Sequence, residues 1–369
     1  MDDMTAVKRV RTALQLGVPD RVPMSFAIWS MEPLSRDENR NLWWDPQKLA
    51  QAAIHTSTCN NHQSDETALS YLNLAMIEAW GAEIDYSKFW PGVKSHMIHK
   101  IEDYEKLWIL DPYKDGRLPV LVKQMELVSQ AMGEKMFLWG QEFSPFTFLF
   151  QMSEATQAVV DMVYHPNVIK KTLEIITQSI IELMKALAKS GANGFRLNAQ
   201  RWDRAFFSKD HIREFDFPYV SKIFAEAKKL NLPTKMFVEL PNPHIDLMLE
   251  LKNLDCFEFL DTAPHTRSNE IPRKWVWEDL DEVDLKNLRE MLRGKLCLSM
   301  PASGRPIMER GTPEEVEVAI KKWLRIMGEG GGFTLKAYSG AGGSWGSKDN
   351  AQKAIETVYK HGKYPIRIE

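Results

Sequence analysis

The sequence predicts an α/β chain closed into a (β/α)8 TIM-like barrel, with helical additions at its amino end. Three observations predict it. After about residue 135, short apolar runs alternate with amphipathic stretches, the pattern of βαβ units feeding a parallel sheet. The alternation recurs often enough for ring closure to be the most economical way of burying it. No GxGxxG turn follows the first strand-like run, which weakens the main rival, a doubly wound dinucleotide-binding sheet. No linker or low-complexity segment interrupts the pattern, so one domain over residues 1–369 is expected.

The elements follow in order. VPMSFAIWSM (Val22 to Met31) is a buried strand opened by Pro23 and closed by Pro33, within a first third that otherwise reads as largely helical. Further strands are MFLWG (Met136 to Gly140), GFRLN (Gly194 to Asn198), TKMFVEL (Thr234 to Leu240), CFEFL (Cys256 to Leu260), KLCLSM (Lys295 to Met300) and GFTLKAY (Gly332 to Tyr338). A helix starts near Pro166, carries Leu173, Ile176, Ile180, Leu183, Met184 and Leu187 at helical spacing, and stops before Gly191. Thr312-Pro313-Glu314-Glu315 is a capping box for a second helix, whose apolar face continues through Val316, Ile320 and Leu324 to the glycines from Gly328 onward.

Composition narrows the function. No apolar stretch approaches the roughly 18 residues of a membrane span, and the charged amino terminus has no apolar signal core, so a cytoplasmic protein is expected. Net charge is −3 with scattered basic residues, which argues against nucleic acid as a partner. Cys59, Cys256 and Cys297 form no close pair in sequence, and reduced thiols are expected. The supply of Trp, Phe and Met serves either ordinary core filling or an apolar ligand pocket.

Several segments resemble the uroporphyrinogen decarboxylase superfamily, which includes the decarboxylase and corrinoid-dependent methyltransferases. RVRTALQLGVPDRVPM (Arg9 to Met24) is similar to the family's opening helix and "DRVP" entry to the first strand. HKIEDYEKLWILDPYKDGRL, WGQEFSPFTF and the run from Ser190 to Ile223 resemble three later family segments in order and spacing. GTPEEVEVAIKKWL and the closing GAGGSWGSKDNAQKAIETVYKHGKYP resemble its last helix, strand and tail. The resemblance implies a barrel of the uroporphyrinogen decarboxylase type, with its site at the carboxyl mouth of the strands.

Within the superfamily, the arginine-rich segment that decarboxylases carry after the first strand reads FAIWSMEPLSRD here, whose first arginine is Arg36. The His-x-Cys pair with which the thiol methyltransferases bind zinc is missing from the chain. The resemblance then implies a corrinoid-dependent methyltransferase of the O-demethylase kind. Such an enzyme moves a methyl group from a small donor, an aromatic methyl ether, onto the cobalt of cob(I)alamin held by a separate corrinoid protein, giving methylcobalamin. Two alternatives stay open: a decarboxylase-like lyase, and a non-catalytic barrel that binds a tetrapyrrole or a corrinoid protein. A homodimer is also open.

Ether cleavage needs a proton or a Lewis acid on the departing oxygen. Glu142, Glu239 and Tyr338 are the candidate proton donors, each also open to a structural role in hydrogen bonding. Glu239 precedes the loop holding His244, and with Asp261 and His265 it forms an oxygen/nitrogen set that zinc tolerates. Arg196 and Asn198 share one strand face, as do Lys336 and Tyr338, and the first pair is assigned to substrate. Trp29, Met31 and Phe143 are candidates for the apolar wall, and the glycines from Gly340 to Gly346 read as mouth loops.

Overall fold

Period-two alternation in the apolar runs, with helices between them, closes the chain into a ring of eight parallel strands. The computed structural model describes residues 3–27, 42–59, 62–69, 74–87, 91–204, 206–238, 243–259, 282–301, 307–308, 311–338 and 348–368. The strands are β1 (Met24–Ala27), β2 (Glu66–Leu69), β3 (Phe137–Phe143), β4 (Gly194–Asn198), β5 (Thr234–Val238), β6 (Cys256–Phe259), β7 (Cys297–Pro301) and β8 (Phe333–Tyr338). They lie in the order β1-β8-β7-β6-β5-β4-β3-β2, with every ladder parallel.

The seam between β1 and β2 is closed through the residues that lead into β2. The Asp65 amide donates to the Met24 carbonyl at 2.8 Å, the Met24 amide to the Asp65 carboxylate at 2.8 Å, and the Phe26 amide to Ser64 Oγ at 3.1 Å. Asp65 is fixed in turn by Arg9 (2.6 Å) and Arg21 (2.5 Å), both as buried as the acid itself. Arg9 also binds Asp20, and Arg21 lies 4.3 Å above the Tyr359 ring. The "DRVP" signature is therefore a lock at the amino-terminal end of the ring.

That end is plugged by α1 (Ala6–Leu14), capped by Thr5, whose hydroxyl accepts from the Lys8 amide. Its apolar face, Val7, Val10, Ala13 and Leu14, packs on Phe137, Trp139, Cys256 and Cys297. The two cysteines stand side by side on β6 and β7 as free, buried thiols, although far apart in the chain. Burial pushes the Cys256 thiol up.

The outer helices follow their sequence punctuation. A helix α2 (Leu118–Met132) precedes β3, and α3 (Pro145–Met152) follows it. The long α4 (Pro166–Lys189) buries the predicted stripe from Leu173 to Leu187 against the sheet, at about 1.5–3 kcal/mol per fully buried large side chain. It ends before Gly191, whose φ of +104 a side chain would resist. Next, α5 (Phe217–Lys229) packs beside α4. The capping box forms at α6 (Pro313–Met327): Thr312 Oγ1 accepts the Glu315 amide, and Glu315 returns a bond to the Thr312 amide at 2.8 Å. A last helix, α7 (Lys348–His361), packs on α6. Among the described residues no helix is long and apolar enough to cross a membrane.

Two strand assignments in the ring differ from expectation. β2 went unpredicted, because four residues of mixed polarity, ETAL, give no periodic signal. β3 runs three residues past Gly140, carrying polar Gln141 and Glu142 in a fully buried strand.

Candidate active site in the barrel interior

In a parallel ladder, residues in register share a face, and successive residues alternate between faces. This rule directs Trp139, Gln141 and Phe143 of β3, Arg196 and Asn198 of β4, Lys235 and Phe237 of β5, Glu258 of β6 and Lys336 of β8 into the ring, with Glu66 of β2 opposite them. Five of these are charged, and their contacts cross the interior.

Lys235 Nζ lies 2.8 and 2.9 Å from the two Glu66 oxygens, 3.5 Å from Glu258, and 4.5 Å from the centre of the Trp139 ring. The Trp139 indole donates to Glu66 at 2.6 Å. One layer nearer the mouth, Glu258 accepts from Arg196 Nη2 and from Lys336 Nζ, each at 2.5 Å on the same oxygen. Arg196 also donates to Gln141 Oε1 and lies 4.2 Å from the Phe237 ring centre. Exposure rises along the axis: the Lys235 and Glu66 side chains are 1% and 0% exposed, those of Arg196 and Lys336 10% and 16%. Solvent thus reaches the cluster from the carboxyl ends of the strands.

Among the described residues the cluster holds three cations against two carboxylates. Burial alone would raise Glu258, but Arg196, Lys336 and Lys235 hold its carboxyl well below the usual range. Burial opposes the charge on Lys235 too, yet Glu66, with smaller help from Glu258, keeps its ammonium above the ordinary value. Lys336 goes the other way. Burial, reinforced by repulsion from Arg196 and Lys235 and only partly offset by Glu258, draws it down to about 8.

The residues singled out from sequence fall into three groups. Arg196 and Asn198 do share the interior face of β4, with Lys336 across the ring, and Asn198 Oδ1 is buried without a hydrogen-bond partner among the described residues. Phe143 pairs in register with Asn198 and meets Phe148 edge-on at 5.6 Å. Glu142 is fully buried on the other face of β3, in register with Leu197, so the pleat turns it toward the helical layer and away from the interior. His244, weighed as a metal ligand, has Nε2 2.9 Å from the Phe207 carbonyl, which can only accept, so that nitrogen carries its proton. Trp29, Met31, Glu239, Asp261 and His265 lie outside the described residues, as does the side chain of Tyr338 at the end of β8. Among the described residues no group of three His, Cys, Asp or Glu is placed to hold a metal ion.

Glu66, Lys235, Glu258 and Gln141 were missed. A signal existed for two of them: Lys235 in TKMFV and Glu258 in CFEF are single charges inside apolar strands, which demand a buried partner. Asp216 was missed as well. It accepts from the Phe146 amide (3.0 Å) and the Trp202 indole (2.7 Å), fixing the start of α3 just beyond β3. Burial pushes it up to about 6, against its hydrogen bonds from Ser144, Trp202 and Phe146.

Over residues 6–337 the sequence matches the family described as uroporphyrinogen decarboxylase (URO-D). The chain belongs to the URO-D family. This family member is 20% identical over 245 residues to the methylcobamide:CoM methyltransferase MtbA of Methanosarcina mazei, which spans 64% of this chain and 71% of that protein. It is 25% identical over 170 residues to the uroporphyrinogen decarboxylase of Cellvibrio japonicus, spanning 43% of this chain and 47% of that one. A solved methyltransferase structure from Methanosarcina mazei shares the fold, with a TM-score of 0.75 at 16% identity, covering 97% of this chain and 99% of that one.

Proposed function

We propose that this URO-D family barrel is the donor-side methyltransferase of a corrinoid system, taking a methyl group from an aromatic methyl ether and delivering it to the cobalt of a separate corrinoid protein. The observation that carries the reading is the charge count inside the ring. A porphyrinogen brings several carboxylates and needs a collection of cations, whereas the described interior has one positive charge in excess, with the Phe237 ring against Arg196. Similarity to a methylcobamide:CoM methyltransferase supports the same direction.

In this reaction the nucleophilic cobalt(I) of the partner's cob(I)alamin takes the methyl carbon, the carbon–oxygen bond breaks, and its electron pair leaves on a phenolate that must be protonated. Glu239, which follows β5 in the chain, and Tyr338, at the end of β8, are proposed as donors of that proton. Zinc on Glu239, Asp261 and His265 is the alternative aid to the leaving oxygen. Metal analysis of the purified chain, with activity before and after a chelator, separates the two.

The test mixes the protein with a reduced corrinoid protein and a panel of methoxyphenols and methoxybenzoates and follows methylcobalamin by its visible spectrum. Methyl transfer to cobalt is expected. Its absence across the panel, together with loss of carboxylate from a porphyrinogen, would instead establish the lyase, the reading that the decarboxylase relative favours.

A further inference from the structure

The excess charge among the described residues of the ring has a definite location. In the strand order, β4 and β8 stand four places apart in a ring of eight, so Arg196 and Lys336 project from opposite walls, and β6 with Glu258 lies midway. Both cations reach the same Glu258 oxygen at 2.5 Å, so their nitrogens lie within roughly 5 Å of each other near the barrel axis.

The deeper charges are matched. Lys235 has three ammonium hydrogens and three carboxylate contacts, two to Glu66 and one to Glu258, and it is shut away from solvent. The upper pair is not matched. Glu258 is shared between two cations, and the Lys336 ammonium, with three hydrogens, makes one hydrogen bond among the described residues. Arg196 directs three of its five N–H groups to Glu258 and Gln141 and keeps two more. The spare donors sit in the layer with the greater exposure, and the Phe237 ring lies against Arg196.

From this geometry we infer that Arg196 and Lys336 form a seat for a single carboxylate on the barrel axis, and that the methyl donor is a methoxylated aromatic acid and not a neutral ether. The inference rests on the methyl-transfer reading and narrows its substrate class. A planar carboxylate can take one hydrogen bond from each cation, neutralising the excess charge. The ring of the donor then stands beside the Phe237 ring. With the acid group on the floor, a methoxy group on the far side of the ring points toward the mouth, where a corrinoid has room to approach.

The experiment measures binding by calorimetry on the full chain without any corrinoid protein, using 4-methoxybenzoate and its neutral isostere 4-methoxybenzamide. The benzoate is expected to bind roughly tenfold or more tighter, the worth of a charge-assisted hydrogen bond in a buried site. Lys336→Met removes the unmatched charge and leaves two cations facing two carboxylates, so the fold is expected to persist. It should weaken the benzoate about tenfold or more while leaving the benzamide within about twofold. Equal affinity of the two ligands for the wild-type protein overturns the seat, and this comparison decides the matter even if the variant fails to fold. Methyl transfer from neutral ethers as fast as from the benzoate would sink the seat and spare the methyltransferase. Lys336-dependent benzoate binding with no methyl reaching cobalt would do the reverse.

Discussion

Replacing Lys235 by methionine removes the ammonium that two buried carboxylates share. Methionine keeps the length of the side chain, so the perturbation is one of charge more than of volume. Among the described residues, Glu66 would be left with the Trp139 indole as its remaining side-chain partner, at 2.6 Å, in a position with no solvent exposure. A buried carboxylate stripped of its cation typically costs about 3–5 kcal/mol. Glu258 adds little, because Arg196 and Lys336 still hold it. The double variant Lys235→Met/Glu66→Gln removes the stranded charge along with its partner and should recover most of the loss, to within about 1–2 kcal/mol of wild type. Urea unfolding at pH 7 for the four proteins of the cycle gives the coupling. Single variants that each lose less than about 1 kcal/mol and simply add in the double would refute the idea that this cluster sits in a low-dielectric interior.

Three further outcomes follow from other contacts. Gly194→Ala would place a Cβ 2.6 Å from the Trp139 ring, which its bond to Glu66 holds still, so a loss of roughly 1–3 kcal/mol is expected in urea unfolding; a neutral effect would mean that the ring moves freely. Asp216 has its pKa raised from an ordinary 3.8 to about 6, so between those values the folded state binds more protons and the residue's stabilising contribution falls as pH rises. The displacement corresponds to roughly 3 kcal/mol, and the stability gap between wild type and Asp216→Ala should be wider at pH 4 than at pH 7; a gap independent of pH would contradict the shift. Thr312→Ala removes the capping hydroxyl of α6 and should cost about 1 kcal/mol, with Thr312→Ser restoring it, as thermal melts of the three proteins can check.

The barrel was legible wherever a strand was long enough to show its pattern. GFRLN coincides with β4, and the TPEE capping box marks the start of α6. β2 escaped because four residues containing a glutamate and a threonine look like a loop until Glu66 is seen to face Lys235 across the ring. Arg196, Asn198 and Lys336 could be chosen from alternation on a single strand, since that rule fixes which residues share a face. It does not say which face is inside. For Glu142 the register with Leu197 settles that against the interior. Partners such as Glu258, separated from Arg196 by 62 positions, depend on strand order around the ring, which local spacing does not encode.

Seven junctions of the ring are main-chain ladders, which any sequence able to form a strand can maintain. The eighth hangs chiefly on the side chains of Ser64 and Asp65, themselves braced by two arginines. Substitution there can loosen or re-space one joint without disturbing a single peptide ladder. A change in the girth of this barrel has a natural point of entry at this joint, on the wall from which Glu66 reaches Lys235.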